Sequence, residues 1–489
     1  MSFSGVEFAF FFPVVFLLYW LLPRRAALQN LFLLAASYFF YVSWSPRLFV
    51  VLLGATAIDY LAALYIHENR ASPSRMRLGL AASLVYNLGQ LAFFKYSGFF
   101  AESLNGLLAA AGIGAELPIL RILLPLGLSF YTFQKLSYIL DVYHDRLPPC
   151  RSLLTFATFV AFFPQLIAGP IVRGGELLPQ LEAPRRLSAD LVKSGAAIFF
   201  LGFFKKAYVA DYLAKYVVDP IFAHPSGFST AGHWLALVGY AVQVFCDFSG
   251  YSEMAIGTAR LLGIELPQNF NYPFLSKTLL EFWRRWHITL NTWFFDYIYG
   301  PMTTGESWLR GRLGLSFMVV FLASGLWHGA RWTFIAWGAM HGVGLVIHYR
   351  YDAYYRGLCR RDRSFVALRR RPAYGAAAWL LTQTFFLLSL VPFRSDSLAK
   401  AAAFFRRLWV PQGGRLLPEF APHMRSLSLA VCAAFIVAYH LLELPRGQKL
   451  VARFFALPAP LRGAAYGLIV VYLNLFVPVS SGTFIYAQF

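Results

Sequence analysis

The chain has 489 residues, of which 58% are hydrophobic and 18% aromatic but only 13% charged, about half the charged share of a soluble domain. That balance excludes an ordinary soluble globule and predicts an integral membrane protein. The formal net charge of +20 points to Lys- and Arg-rich cytoplasmic loops rather than to nucleic acid, because no nucleic-acid-binding motif accompanies it.

Apolar runs at 8–22, 28–44, 49–66, 78–94, 155–172, 196–210, 235–248, 313–326, 334–347, 373–390, 427–442 and 464–479 approach the roughly 20 residues that span a bilayer. Several are short or interrupted by Pro or Gly, which predicts tilted, re-entrant or broken helices around a cavity. The expected fold is an all-α polytopic membrane protein of roughly ten to thirteen spans. It would form one domain over 1–489, with a catalytic core at about 125–348 and C-terminal spans over 373–489. The turns alternate in charge: Arg24 and Arg25, then Arg47 alone, then Arg70, Arg75 and Arg77. This places the N-terminus outside. The arginine-rich stretch 350–371 and the cluster Arg446, Lys449, Arg453 and Arg462 are assigned inside, so the C-terminus returns outside. The opening run includes Glu7 and lacks a basic flank, so it is expected to remain as a span. Cys150, Cys246, Cys359 and Cys432 are scattered without metal or disulfide spacing.

In the first hundred residues Asp59 falls mid-run and needs a partner, whereas Lys95 is expected at an interface with its head among the headgroups. The stretch 125–149 disperses Gln134, Lys135, Ser137, Tyr138 and Asp141 through an apolar helix. Such groups either hydrogen-bond between helices or line a site. Pro164, Gly169 and Pro170 break FFPQLIAGPIVR (162–173), predicting a re-entrant turn beside a cavity, with Arg173 just beyond. Lys205 and Lys206 either hold a polyanionic donor at a cavity mouth, such as the phosphates of coenzyme A, or anchor the chain by the positive-inside rule. Asp247, Ser249, Ser252 and Glu253 read as a hinge with satisfied carboxylates, and no histidine in 244–273 completes a metal set.

Two histidines carry the chemistry. In 281–301 a continuous helix would put Arg284, His287 and Asn291 on one face, wrapped by Trp283, Trp286 and Trp293, with Asp296 and Tyr297 just beyond. His328 stands between Trp327 and Gly329. Imidazole is the side chain best suited to general-base work near neutral pH, and an ionisable group at membrane depth marks chemistry or transport. Trp327 supplies a flat wall, and Gly329 permits close approach. His341 lies thirteen residues on, about 140° around an ideal helix. His328 is therefore the first candidate, His287 the second and His341 the third.

Together PLGLSFYTFQ, FFPQLIAGPIVR, DFSGYSEMAIG, NFNYP, FWRRWHITL and GLWHGARWTFIAWGAMHG resemble the membrane-bound O-acyltransferase family. The branch resembled is the bacterial one that acylates alginate and teichoic acids, and the match runs from the first span to the last residue. The resemblance implies a many-helix bundle around a central tunnel, with His328 as the base that deprotonates an acceptor hydroxyl and His287 as the second functional position. It also implies acetyl-CoA or another acyl thioester as a cytoplasmic donor substrate, with no bound cofactor or metal. The acceptor would be an exported polysaccharide outside the bacterial inner membrane, reached with a periplasmic SGNH-type esterase or acetyltransferase partner. The ending FIYAQF is similar to the branch's FxYxxF, so Tyr486 is implied as a transient acyl carrier. Where the branch has a serine and an Arg-Asp pair after its second histidine, this chain has Asn291 and Phe295-Asp296, and 303–306 replaces a glycine-rich basic turn. Arg284, Asn291, Trp327, Asp296, Lys205, Lys206 and Arg173 are the expected donor- or substrate-binding set. A proton-relaying transporter is the rival reading, but no internal repeat supports it. An assembly scaffold would leave the histidines dispensable.

Overall fold

The long apolar runs become helices whose ends are marked by the residues that best satisfy free backbone groups. Ser152, Ser188, Ser229, Thr278 and Ser397 each accept a backbone N–H of the helix they precede, while Pro73 and Pro372 open helices where a missing N–H costs nothing. The computed structural model describes residues 1–120, 122–305, 307–418, 422–442 and 444–476. Those residues form helices joined by turns and loops, with no strand among them beyond a lone bridge between Phe228 and Arg415. Phe49–Glu68 and Pro372–Arg394 are long and apolar enough to cross a membrane by themselves. Val6–Leu21, Ala26–Val42, Leu313–His328 and Leu429–Leu441 are shorter apolar helices.

Broken segments lie where Pro and Gly predict them. The 155–172 run splits into Leu153–Ala161 and Phe163–Leu166, followed by non-helical backbone to residue 173, with residues 161–172 buried. The 235–248 run is the middle of a 32-residue helix, Thr230–Leu261. Four π-helical turns, Ala92–Tyr96, Phe204–Ala210, Ala214–Val218 and Phe295–Tyr299, have no sequence signal that we detect. The π form is rare and concentrates at functional sites; here these turns carry Lys95, Lys205, Lys206, Asp296 and Tyr297.

One interior charge is closed by an ion pair. Asp59 receives Ser83 Oγ at 2.5 Å and Asn87 Nδ2 at 2.9 Å, and forms an ion pair of 3.2 Å with Lys135. Both side chains of that pair are fully buried, so it joins the Phe49–Glu68 helix to Leu128–Tyr143. Removing one partner of such a pair typically costs about 3–5 kcal/mol. Asp59 and Lys135 are therefore structural.

Candidate active site

His328 closes the Leu313–His328 helix, and Trp332–Arg361 returns antiparallel against it. The two backbones approach closely because Gly325 and Gly338 lie at the crossing. A Cβ on Gly325 would strike the Phe334 carbonyl, and one on Gly338 the Phe321 carbonyl. The His328 ring is buried among Trp327 at 5.0 Å and Trp337 at 4.9 Å of this hairpin and Phe393 of Pro372–Arg394 at 5.3 Å between centroids. His341 packs on the same Trp337, at 4.8 Å, does not line the cavity that His328 lines, and its Nε2 shares a 2.9 Å hydrogen bond with Ser389 Oγ. The chain breaks at 329–331, so a single-helix projection does not apply to the two histidines. His341 is a core residue behind the wall of the site.

His287 departs from the expected continuous helix. Leu279–Arg285 ends before it, Ile288–Phe294 begins after it, and His287 itself has φ 45° and ψ 53°. A left-handed conformation at a non-glycine residue is uncommon and is held in place by its surroundings. The motifs singled out in the sequence provide that hold. Asn269 accepts Ile288 N–H at its carbonyl (2.9 Å) and Thr289 Oγ1–H at its side chain (2.7 Å). Its own amide donates to Ser252 Oγ at 3.0 Å, and Thr289 Oγ1 accepts Ile171 N–H at 3.0 Å. Residues from NFNYP, DFSGYSE, LIAGPI and WHITL thus form one hydrogen-bonded knot beneath the buried His287. Its ring meets Phe248 at 4.5 Å and Trp327 at 5.6 Å.

Trp327 therefore contacts both imidazoles, and it lines a cavity of about 130 Å³ with His328, Lys95, Trp44, Phe130 and Ile167. Gly127 shapes the wall: at φ +73°, a Cβ there would meet the Leu166 carbonyl. Lys95 is the residue that sequence reasoning misplaced. Instead of reaching for headgroups, its ammonium donates to the Trp327 carbonyl at 2.5 Å, to Ser129 Oγ at 3.4 Å and to the His328 carbonyl at 3.5 Å. Beside it, Tyr96 Oη–H donates to the Leu326 carbonyl at 2.9 Å. The π-helical turn thus caps the last carbonyls of the helix that presents His328. Those groups lack intrahelical donors, and a cation there is worth about 0.3–2 kcal/mol. The available signal was a lysine after a long apolar run; its inward direction comes from the π turn.

Other expected site residues lie elsewhere. Arg284 is exposed on Leu279–Arg285, whereas His287 is buried in the turn, so they do not share a face. Asn291 donates its amide to the Trp283 and Trp286 carbonyls, fastening the turn's two helices together. Asp296 pairs with Arg173 at 3.2 Å; the Arg173 guanidinium also stands 4.7 Å from the Tyr297 ring, and Tyr297 donates to Asp141 at 2.8 Å. The structure withdraws Lys205 and Lys206 from any cavity mouth. Lys205 pairs with Glu253 at 2.5 Å, and Lys206 with Asp211 at 2.7 Å and Asp247 at 2.5 Å, all largely buried. The reason is the close crossing of Ala189–Phe203 with Thr230–Leu261, where Gly202 and Gly250 abut and turn the following lysines inward onto the acids. Tyr486 lies outside the described residues.

The arrangement presents an imidazole at the wall of a small, largely apolar cavity, with a second imidazole across one indole. This is suited to removing a proton from a hydroxyl brought into the cavity. The sequence model of the membrane-bound O-acyltransferase (MBOAT) family matches residues 145–391. The chain is 41% identical over 354 residues to the probable alginate O-acetylase AlgI of Azotobacter vinelandii, covering 71% of this chain and 68% of that one. It is 35% identical over 420 residues to the peptidoglycan O-acetyltransferase of Helicobacter pylori, covering 80% and 76%. With the teichoic acid D-alanyltransferase of Bacillus subtilis it shares 32% over 228 residues, covering 45% and 57%. Match length and identity place this chain within the membrane-bound O-acyltransferase family, as an O-acyltransferase.

Proposed function

We propose that the protein carries an acetyl group from cytoplasmic acetyl-CoA to a hydroxyl of an exported polysaccharide, directly or through a periplasmic SGNH-type partner. It would do so as a multi-pass protein of the bacterial inner membrane with both termini periplasmic. The observation that carries this reading is His328 at the cavity wall, its helix end capped by Lys95 and its ring against Trp327. Relatives named for acetylating alginate and peptidoglycan supply the acceptor class.

In the proposed step, His328 takes the proton of the acceptor hydroxyl as its oxygen bonds to the thioester carbonyl carbon. The tetrahedral intermediate collapses by breaking the C–S bond, and the leaving thiolate receives the proton held by His328. Trp327 and His287 orient the reacting groups, and Tyr486 is the candidate hydroxyl that first accepts the acyl group before passing it outward. Family membership sets aside the transporter and scaffold readings. The test uses full-length protein in nanodiscs with radiolabelled acetyl-CoA. Label retained on wild type and lost in His328→Ala and Tyr486→Phe supports transfer through a tyrosyl relay. Turnover that survives in Tyr486→Phe but not in His328→Ala keeps the transferase and removes the relay. A wild type that neither binds nor consumes acetyl-CoA sinks the donor assignment.

A further inference from the structure

A second cavity lies away from the His328 site, between the second half of Trp332–Arg361, the first half of Pro372–Arg394 and residues 277–279, and measures about 900 Å³. Its floor is apolar and faces outward: Ile347, Trp379 and Leu381 line it and are 63%, 42% and 73% exposed. Its rim is cationic, formed by Lys277, Arg369, Arg370 and Arg371. Asp352 also lines it, but that carboxylate is engaged by Arg369 at 3.0 Å and Arg356 at 3.5 Å. Among the described residues no acid pairs with Lys277, Arg370 or Arg371. The phenols of Tyr351 and Tyr374 hydrogen-bond to each other at 3.0 Å beside this rim, the level at which tyrosines settle in a bilayer.

The dimensions select an occupant. From Pro372 at the rim to Phe385 at the inner end is thirteen helical residues, about 20 Å at the α-helical rise. Half of a bilayer, headgroups included, is also about 20 Å. A cleft one leaflet deep, apolar along its length and open on its side, with uncompensated cations at one end, matches an acyl chain topped by a phosphate. The nucleotide head of a thioester donor matches the rim but leaves the apolar length unfilled.

We propose that this cleft binds one anionic phospholipid, its phosphate held by Lys277, Arg370 and Arg371 and one acyl chain lying along Leu279, Ile347, Leu381 and Phe385. The inner end reaches the wall of the reaction site: Phe385 packs on His341 at 5.3 Å, and His341 on Trp337, which touches His328. The inference does not rest on the acyl-transfer reading and can fail without it.

The experiment is native mass spectrometry of the full-length protein titrated with phosphatidylglycerol, phosphatidylcholine or coenzyme A. Wild type is expected to retain one phosphatidylglycerol in preference to phosphatidylcholine. The triple variant Lys277→Gln/Arg370→Gln/Arg371→Gln should bind it about a hundredfold more weakly at low salt. Ala378→Trp, which fills the floor without touching a charge, should lose the same lipid. Equal retention of the two lipids, or retention by both variants, overturns the proposal. Displacement of the lipid by micromolar coenzyme A also overturns it and reassigns the cleft to the donor.

Discussion

Lys95 and Lys206 both sit in π-helical turns that follow an apolar helix, yet the protein neutralises them in opposite ways. Lys206 is buried between two carboxylates, Asp211 and Asp247. Lys95 has no acid beside it among its hydrogen-bond partners: it meets carbonyl oxygens at the end of the helix that presents His328, and lines the cavity there. A lysine closed by acids holds two helices together. A lysine closed by the carbonyls of a helix terminus orients whatever that terminus carries. The same residue type in the same local conformation thus serves packing in one region and the proposed reaction site in the other.

The largest effect should come from breaking the acid-closed region. Lys206→Met leaves Asp211 and Asp247 buried without their cation, a loss of about 3–5 kcal/mol, seen as poor membrane accumulation and a lowered melting temperature in detergent. A variant that melts like wild type would remove the structural role assigned here. Next, Asn269→Ala unties the knot under His287. With Ile288 N–H still served by the backbone carbonyl, the loss falls on Thr289 and Ser252, about 1–3 kcal/mol, together with a fall in kcat as the left-handed turn relaxes. Unchanged kcat would mean that His287 needs no fixed position. Ser389→Ala removes one neutral hydrogen bond from His341, about 1 kcal/mol, and should leave kcat within about twofold because His341 lies behind Trp337; a large loss would promote His341 to the site. Smallest of all, Arg284→Gln on the exposed face should shift stability by no more than about 0.5 kcal/mol and leave turnover unaltered.

Much of this was legible in the sequence because it is written in residue types that have few alternatives. His328 between an indole and a glycine, the Pro/Gly breaks of 162–173 and the buried charge at Asp59 each demanded a particular environment, and the structure supplies it. The relation of Arg284, His287 and Asn291 was misread because helical periodicity assumes a continuous helix, whereas Asn269 hydrogen-bonds across the chain and holds His287 at positive φ. Lys95 and the lysine pair were exchanged for a similar reason. Snorkelling and a cavity-mouth role are both reasonable for a lysine at the end of an apolar run. Which one applies depends on the register added by a π turn and on Gly202 and Gly250 meeting across two helices, and neither is visible in local composition.

The most direct measurement compares kcat per mole of folded protein for Lys95→Met and Lys206→Met at a temperature well below both melting transitions. If Lys95 orients the His328 helix end, Lys95→Met loses at least about tenfold in kcat, the cost of roughly 1.4 kcal/mol in the transition state, while KM for acetyl-CoA holds and the folded fraction of Lys206→Met turns over like wild type. Equal kcat in the two variants, or a loss confined to Lys206→Met, would contradict the account.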